Sequence, residues 1–183
     1  MATELEVLRV VSDRLTAQGL AFMLTGSFAL AFYATPRMTR DLDLVVALVE
    51  ADVEGLVTAF EADFYIDADS ARTAVRAEQL FNLMHLASGI KVDLIVRKAA
   101  LYRQLEFSRR QPVDLAGTRT WIVSREDLIL SKLVWAQDSG SELQLRDVRA
   151  LLDSTADSGY LREWAAKLGV GVAVGRRGQC RSS

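Results

Sequence analysis

The segment Thr25–Val46, T-G-S-F-A-L-A-F-Y-A-T-P-R-M-T-R-D-L-D-L-V-V, decides how this chain is read. It opens with a turn of small residues and closes with two aspartates, Asp41 and Asp43, inside an apolar run. Alternate side chains of a strand share a face, so the two carboxylates project the same way, roughly 7 Å apart at Cα. Leu42 and Leu44 then point to the other face and can enter a core. Ahead of them, A-F-M-L-T (21–25) reads as a short buried strand ended by Gly26. Ser27 is placed to cap a helix, F-A-L-A-F-Y-A, which Pro36 ends.

A second strand repeats the pattern. In I-K-V-D-L-I-V (90–96), Ile90, Val92, Leu94 and Val96 share one face, while Lys91 and Asp93 share the other. If this strand lies beside the first, Asp93 joins Asp41 and Asp43. Three close carboxylates repel unless protonated or neutralised, and a divalent cation resolves the conflict. Mg²⁺ takes oxygen ligands, commonly one or two carboxylates with water and substrate phosphates. Two such ions can activate an attacking oxygen and stabilise a leaving one. The plain alternative is a set of solvated aspartates on an edge strand. Gly26 and Ser27 weigh against it. Backbone N–H groups at a strand-to-helix turn bind phosphate oxygens, and glycine permits close approach. Phosphate turn, thirteen residues, D-x-D and then a distal strand aspartate form one constellation.

In this order and spacing, Leu24-Thr25-Gly26-Ser27, Asp41-Leu42-Asp43-Leu44 and Val92-Asp93-Leu94 resemble the DNA-polymerase-β-like nucleotidyltransferase superfamily. The resemblance covers roughly residues 5–153. Lys91-Val92-Asp93, Lys132 in L-I-L-S-K-L-V-W and Arg146-Asp147 in L-Q-L-R-D-V-R-A-L-L are closest to abortive-infection (AbiEii/AbiGii toxin-type) and minimal nucleotidyltransferases. The chain has R-D where some relatives have K-D, and a shorter C-terminal region than many. The resemblance implies transfer of a nucleoside monophosphate from an NTP to a hydroxyl on a tRNA end or a protein. It implies a toxin–antitoxin component with a cognate antitoxin or toxin as partner. Asp41, Asp43 and Asp93 would be the metal ligands, for two Mg²⁺ ions or Mn²⁺, and catalytic together with Lys132. Gly26, Ser27, Thr39, Arg40, Lys91 and Asp147 would serve nucleotide binding. Lys132 would neutralise the triphosphate; a lysine snorkelling from the core margin is the competing account. Asp147 would orient Lys132 or belong to ordinary helix ion pairs with Arg146, Arg149 and Asp153.

The rest of the chain supplies a scaffold. Leu5, Leu8, Val11 and Leu15 have helical spacing, so residues 3–18 read as an amphipathic helix. Helices are also expected at 50–61, 70–78 and 98–106, with a weak strand at 64–66. L-F-N-L-M-H-L-A and the Asp93 strand flank Ser88-Gly89 as a hairpin, and a second hairpin surrounds Ala116-Gly117. From Ser124, which with Asp127 resembles a capping box, the period turns helical, at about 125–137, 141–153 and 158–168. The fold class is therefore α/β (α+β): a small mixed sheet flanked by helices, with a helical C-terminal section. The expected divisions are a core over 1–123, helices over 124–169 packed on it, and a mobile tail over 170–183.

Composition fits this reading. Half of the 183 residues are hydrophobic and a quarter are charged, enough for a sizeable core. The net charge of −2 gives no global field for nucleic acid. Residues 1–169 carry about −5, from 19 basic against 24 acidic residues, because three arginines lie in the tail. Basic residues around Arg37–Arg40, Arg109–Arg110 or the tail offer only a local patch. The single cysteine, Cys180, excludes a disulfide framework and fits a reducing, cytoplasmic setting. The N-terminus lacks a signal peptide's pattern, and no apolar run reaches membrane-spanning length. His85 reads as structural, and Trp121, Trp135 and Trp164 as core or interface. Two rival functions are a non-catalytic nucleotidyltransferase-like binding module and a metal-dependent phosphohydrolase using the same aspartates.

Overall fold

The computed structural model describes residues 2–35, 41–153 and 155–171. The chain divides into two compact units between Leu128 and Ile129.

In the first unit, helix α1 (Glu4–Ala17) starts at a capping box. Thr3 Oγ1 accepts from the Glu6 N–H, and Glu6 accepts from the Thr3 N–H. Then follow β1 (Phe22–Thr25), α2 (Gly26–Tyr33), β2 (Asp41–Val46), a 3-10 turn (Glu50–Asp52), α3 (Val53–Phe60), β3 (Phe64–Ile66) and α4 (Ala68–Ala77). The strands β4 (Leu80–His85) and β5 (Lys91–Val96) precede α5 (Leu101–Ser108) and the pair β6 (Gln111–Leu115) and β7 (Thr118–Ile122). The expected order of elements is thus present. The expected helix over 98–106 begins only at Leu101, where Glu78 Oε1 holds the Ala99 N–H in the preceding loop.

The sheet has the order β3-β4-β5-β2-β1-β7-β6. β2 runs parallel to β5, and β1 parallel to β7; the other neighbours are antiparallel. Paired residues share a face, so the register sorts the sheet into two surfaces. Leu24, Leu44, Leu94, Phe81 and Ile122 lie on one, all buried. Thr120, on that same face of β7, meets Ser12 of α1 through a buried hydroxyl contact of 3.0 Å. α1 therefore covers the apolar face, presenting Val7, Leu8, Val11 and Leu15. The other face carries Thr25, Asp43, Asp93 and Asn82 in one row and Asp41, Lys91, Met84 and Tyr65 in the next.

Arg14 joins α1 to the start of β3. Its guanidinium donates to both oxygens of Asp63, at 2.5 and 2.8 Å, and lies over the rings of Phe60 and Phe64. The hydrogen bond from Arg14 holds the Asp63 carboxyl below its usual range. A depressed folded-state pKa stabilises the fold above the unfolded pKa of about 3.9, and the effect is lost as pH falls through the folded value. Asp63 is 39% exposed, so screening limits the contribution. Asp63→Asn is expected to cost about 0.5–1 kcal/mol at pH 7. The gap in urea midpoints between wild type and variant should narrow as pH falls below about 3.9. An equal gap at pH 3 and pH 7 would remove the ion pair as its source.

The second unit begins within α6 (Arg125–Ser139) and includes α7 (Glu142–Leu151) and α8 (Ser158–Leu168). Leu133, Ala136, Val148, Leu151, Leu161 and Ala165 are buried. Asp157 caps α8 through the N–H groups of Gly159 and Tyr160, and Gly169 ends it in the left-handed region. Of the two places expected for Trp121 and Trp135, core or interface, the core is excluded: they are 38% and 55% exposed. The tail beyond Gly171 lies outside the described residues. No helix among the described residues is long and apolar enough to cross a membrane.

Candidate active site

β1, β2 and β5 build the site. Asp41 and Asp43 stand on the face of β2 away from α1, while Leu42 and Leu44 are fully buried on the other. β5 lies beside β2, and its register pairs Asp43 with Asp93 and Asp41 with Lys91. The carboxylates come from positions fifty residues apart, yet one strand pairing sets them side by side.

The turn after β1 backs directly onto this row. Gly26 has φ of +64°, a conformation that side chains other than glycine's rarely adopt. A Cβ added there would lie 2.0 Å from Asp43 Oδ2 and 2.6 Å from its Cγ. The glycine therefore makes the room that the Asp43 carboxylate occupies. Ser27 follows in the first turn of α2, so both residues assigned to phosphate adjoin the carboxylate row. Gly26→Ala combines backbone strain of about 1–2 kcal/mol with that clash. A fall in melting temperature of about 4 °C or more is expected, with loss of any Asp43-dependent activity. A variant that melts and acts as wild type would show that the close approach has no consequence.

Lys91 and Asn82 complete the surface. Lys91 Nζ donates to Asp93 at 3.0 Å, and Asn82 Nδ2 donates to Asp93 Oδ1 at 3.0 Å. The hydrogen bond to Asp93 raises the Lys91 ammonium above its ordinary range, against a partial burial penalty. The charges of Asp93, Asp41 and Asp43 act in the same direction. Lys91 thus lies in the field of all three carboxylates. Among the described residues, no three His, Cys, Asp or Glu side chains are grouped so as to hold a metal ion by themselves. Asp93 is engaged by Lys91 and Asn82, and Asp41 and Asp43 are the adjoining carboxylates. This donor set fits Mg²⁺ in its usual mode, with one or two carboxylates and the remaining ligands from water and phosphates.

Asn82 had no role in the sequence reading. A two-residue Ser88-Gly89 turn would set Asn82 opposite Ile95. The loop instead spans Leu86–Gly89, closed by the His85 N–H to the Ile90 carbonyl at 2.9 Å. Ser88 Oγ meets His85 Nδ1 at 2.8 Å, and Gly89 takes φ of +70°. Pairing shifts by two residues and brings Asn82 opposite Asp93. His85 has a structural place here, its ring 5.0 Å from that of Phe64.

In the second unit, Lys132 is 2% exposed. Its Nζ donates to Asp147 Oδ2 at 2.8 Å and to Gln144 Oε1 at 3.0 Å. Asp147 is itself buried, on the inner side of α7. Asp147 therefore contacts Lys132 directly, while Arg146 is exposed. Thr39 and Arg40, assigned to the nucleotide, lie outside the described residues, as does Arg37.

Solved structures with this arrangement of strands and helices decide the fold. ANT(2″)-Ia in complex with adenylyl-2″-tobramycin is similar with a TM-score of 0.60 at 13% identity, covering 92% of this chain and 98% of that one. The fold is that of the nucleotidyltransferases. An antigenic nucleotidyltransferase-like protein from Paracoccidioides brasiliensis is similar with a TM-score of 0.57 at 18% identity, covering 90% of this chain and 86% of its own. The lincomycin-bound lincosamide antibiotic adenylyltransferase LnuA gives 0.51 at 12% identity, over 79% of this chain and 93% of that one. No protein-family model and no curated protein matches the sequence. In a nucleotidyltransferase fold, the Gly26 turn and the Asp43–Asp93 row belong to the same sheet face, and that face is the candidate active site.

Proposed function

We propose that the chain is a metal-dependent nucleotidyltransferase that moves a nucleoside monophosphate from an NTP to a hydroxyl, with release of pyrophosphate. The observation that carries this reading is the Asp43–Asp93 register with the Gly26 turn set against Asp43. The nucleotidyltransferase fold supports it. Gly26 and Ser27 hold the β- and γ-phosphates through backbone N–H groups at the start of α2. Asp41 and Asp43, with Asp93 as the third carboxylate, would hold Mg²⁺, or Mn²⁺ in its place. The bound metal would supply charge neutralisation at the transferring phosphorus. Asp93 orients the acceptor hydroxyl and is itself positioned by Asn82 and Lys91. The triphosphate role of Lys132, with Asp147 and Gln144 positioning it, rests on the sequence resemblance, as do the nucleotide roles of Thr39 and Arg40. So does membership of a toxin–antitoxin pair.

Three acceptor classes follow: a tRNA end, a protein hydroxyl and a small antibiotic-like alcohol. The last gains support from the antibiotic adenylyltransferases among similar structures. The test offers each α-³²P-labelled NTP with Mg²⁺ to total tRNA, to a cell lysate and to a panel of aminoglycosides and lincosamides. Label carried to one of these, and lost with EDTA, is the expected result and names the acceptor. Free NMP or phosphate without a labelled acceptor identifies a phosphohydrolase. Nucleotide binding indifferent to Mg²⁺, with neither product, identifies a binding module.

A further inference from the structure

Two arginines on the carboxylate-bearing face do not fit the scaffold's own needs. Along β5 this face shows Lys91, Asp93 and Ile95, and Arg97 continues the series just past the strand. The Arg97 N–H still bonds the Val46 carbonyl at 2.9 Å, so the alternation holds there. Arg97 lies four positions beyond Asp93, roughly 13 Å along a strand. Arg110 precedes β6, and Trp121, from β7, stands on the face opposite Thr120 and Ile122. Phe107 of α5 joins the group. The Arg97 guanidinium lies 5.4 Å from the Phe107 ring centre, and that of Arg110 lies 4.4 Å from Phe107 and 5.0 Å from Trp121.

Both arginines are half-buried, and the Nε of each is buried without a hydrogen-bond partner among the described residues. Arg110 Nη1 donates to the Phe107 carbonyl at 2.8 Å. Among the described residues neither arginine makes an ion pair, whereas Arg14, Arg72, Arg76, Arg103 and Arg109 each have one. Burial and then the charge of Arg97 lower the Arg110 pKa from its usual value. Two half-buried like charges beside one ring are costly unless an anion joins them. A snorkelling arginine covers apolar surface with its stem, which accounts for one such contact but not for a mutually repelling pair. Guanidinium groups present forked donors that match phosphate oxygens, and aromatic stacking fixes their planes.

We propose that Arg97 and Arg110, stacked on Phe107 and Trp121, form a phosphate-binding site at the end of β5 away from Lys91. The site takes the phosphate group of free pyrophosphate or of a nucleotide, and its existence does not depend on the transfer reaction. The experiment is calorimetric titration of the full chain with inorganic pyrophosphate in EDTA at fixed ionic strength. Wild type is compared with Arg97→Gln, Arg110→Gln and Arg110→Lys. Saturable binding by wild type, weakened at least about tenfold in both glutamine variants and less in Arg110→Lys, is expected. Trp121 emission should change with the same midpoint and lose that change in Trp121→Phe. ATP titrated in EDTA distinguishes the sources: competition with pyrophosphate assigns the site to nucleotide phosphates as well, and its absence restricts the site to the free anion. No saturable binding by wild type overturns the proposal. So does unchanged binding in both glutamine variants with native far-ultraviolet dichroism, which would locate the anion at Gly26-Ser27 instead. Because no metal, NTP turnover or acceptor enters the titration, failure here is separate from failure of the transferase reading.

Discussion

Asp43→Asn is expected to lower NMP transfer by at least about 10²–10³-fold while leaving the fold intact. Asparagine has nearly the same volume, so the space created by Gly26 is still filled. What changes is charge. Asp43 is in register with Asp93 and two residues from Asp41, and Lys91 lies in the field of all three. Removing one negative charge lessens the mutual repulsion within this row. On the proposed function the same change would remove a metal ligand, so the transfer rate should fall while thermal stability does not. Measuring both on one preparation separates the two roles. Wild-type transfer by Asp43→Asn would end the carboxylate mechanism, and a variant that melts early would move Asp43 into the scaffold.

Lys132→Met is expected to destabilise the protein by about 3–5 kcal/mol, because it leaves the buried Asp147 carboxylate without its ammonium. The ion pair is 3% and 4% exposed at its two side chains, so water cannot take the lost partner's place without local opening. Removing both charges should restore most of the loss, since a buried ion pair is often replaceable by apolar groups of similar size. The double variant Lys132→Met/Asp147→Leu therefore gives a folded protein without the ammonium. Denaturant midpoints report the stability, and the labelled-NTP assay reports the function. A stable double variant that no longer transfers would assign Lys132 to the reaction. A stable double variant with full transfer would make the pair part of the scaffold alone.

The alternation in D-L-D-L-V-V and K-V-D-L-I-V was legible because burial on one strand face imposes a period of two. The same rule gave Leu42, Leu44, Val92 and Leu94 their buried places. What alternation does not fix is how far two strands slide in steps of two, since such a slip keeps every side chain on its own face. The partner of Asp93 was hidden for that reason: Asn82 depends on the His85–Ser88 contact and the longer loop, which are three-dimensional facts. The capping signal of Ser124 and Asp127 was only half readable. Ser124 Oγ does accept from the Asp127 N–H, yet the Asp127 carboxylate also receives Arg109 Nε and the Tyr102 hydroxyl. Trp121 and Trp135 show the converse limit. A large apolar residue at a regular spacing is compatible with burial but does not compel it. The Arg97 and Arg110 pair was invisible because its oddity is the lack of a counter-charge among the described residues, and no local pattern of residues encodes that.

The strand order also determines when during folding the site can exist. The sheet is made of three antiparallel pieces, β1–β2, β3–β4–β5 and β6–β7, each closed by contacts between neighbours in the chain. Two parallel seams join them, β2 to β5 and β1 to β7, and the second links Leu24 with Ile122. Non-local pairings must first pay the entropy of closing long loops, so they form late and set the folding rate. The three aspartates straddle the first seam. A nascent chain can complete the Gly26 turn and both β2 carboxylates while Asp93 is still unmade by the ribosome, and the row of three acids is not complete until β5 docks. Chain growth itself thereby postpones the assembly of the row of acids until most of its supporting sheet has been synthesised.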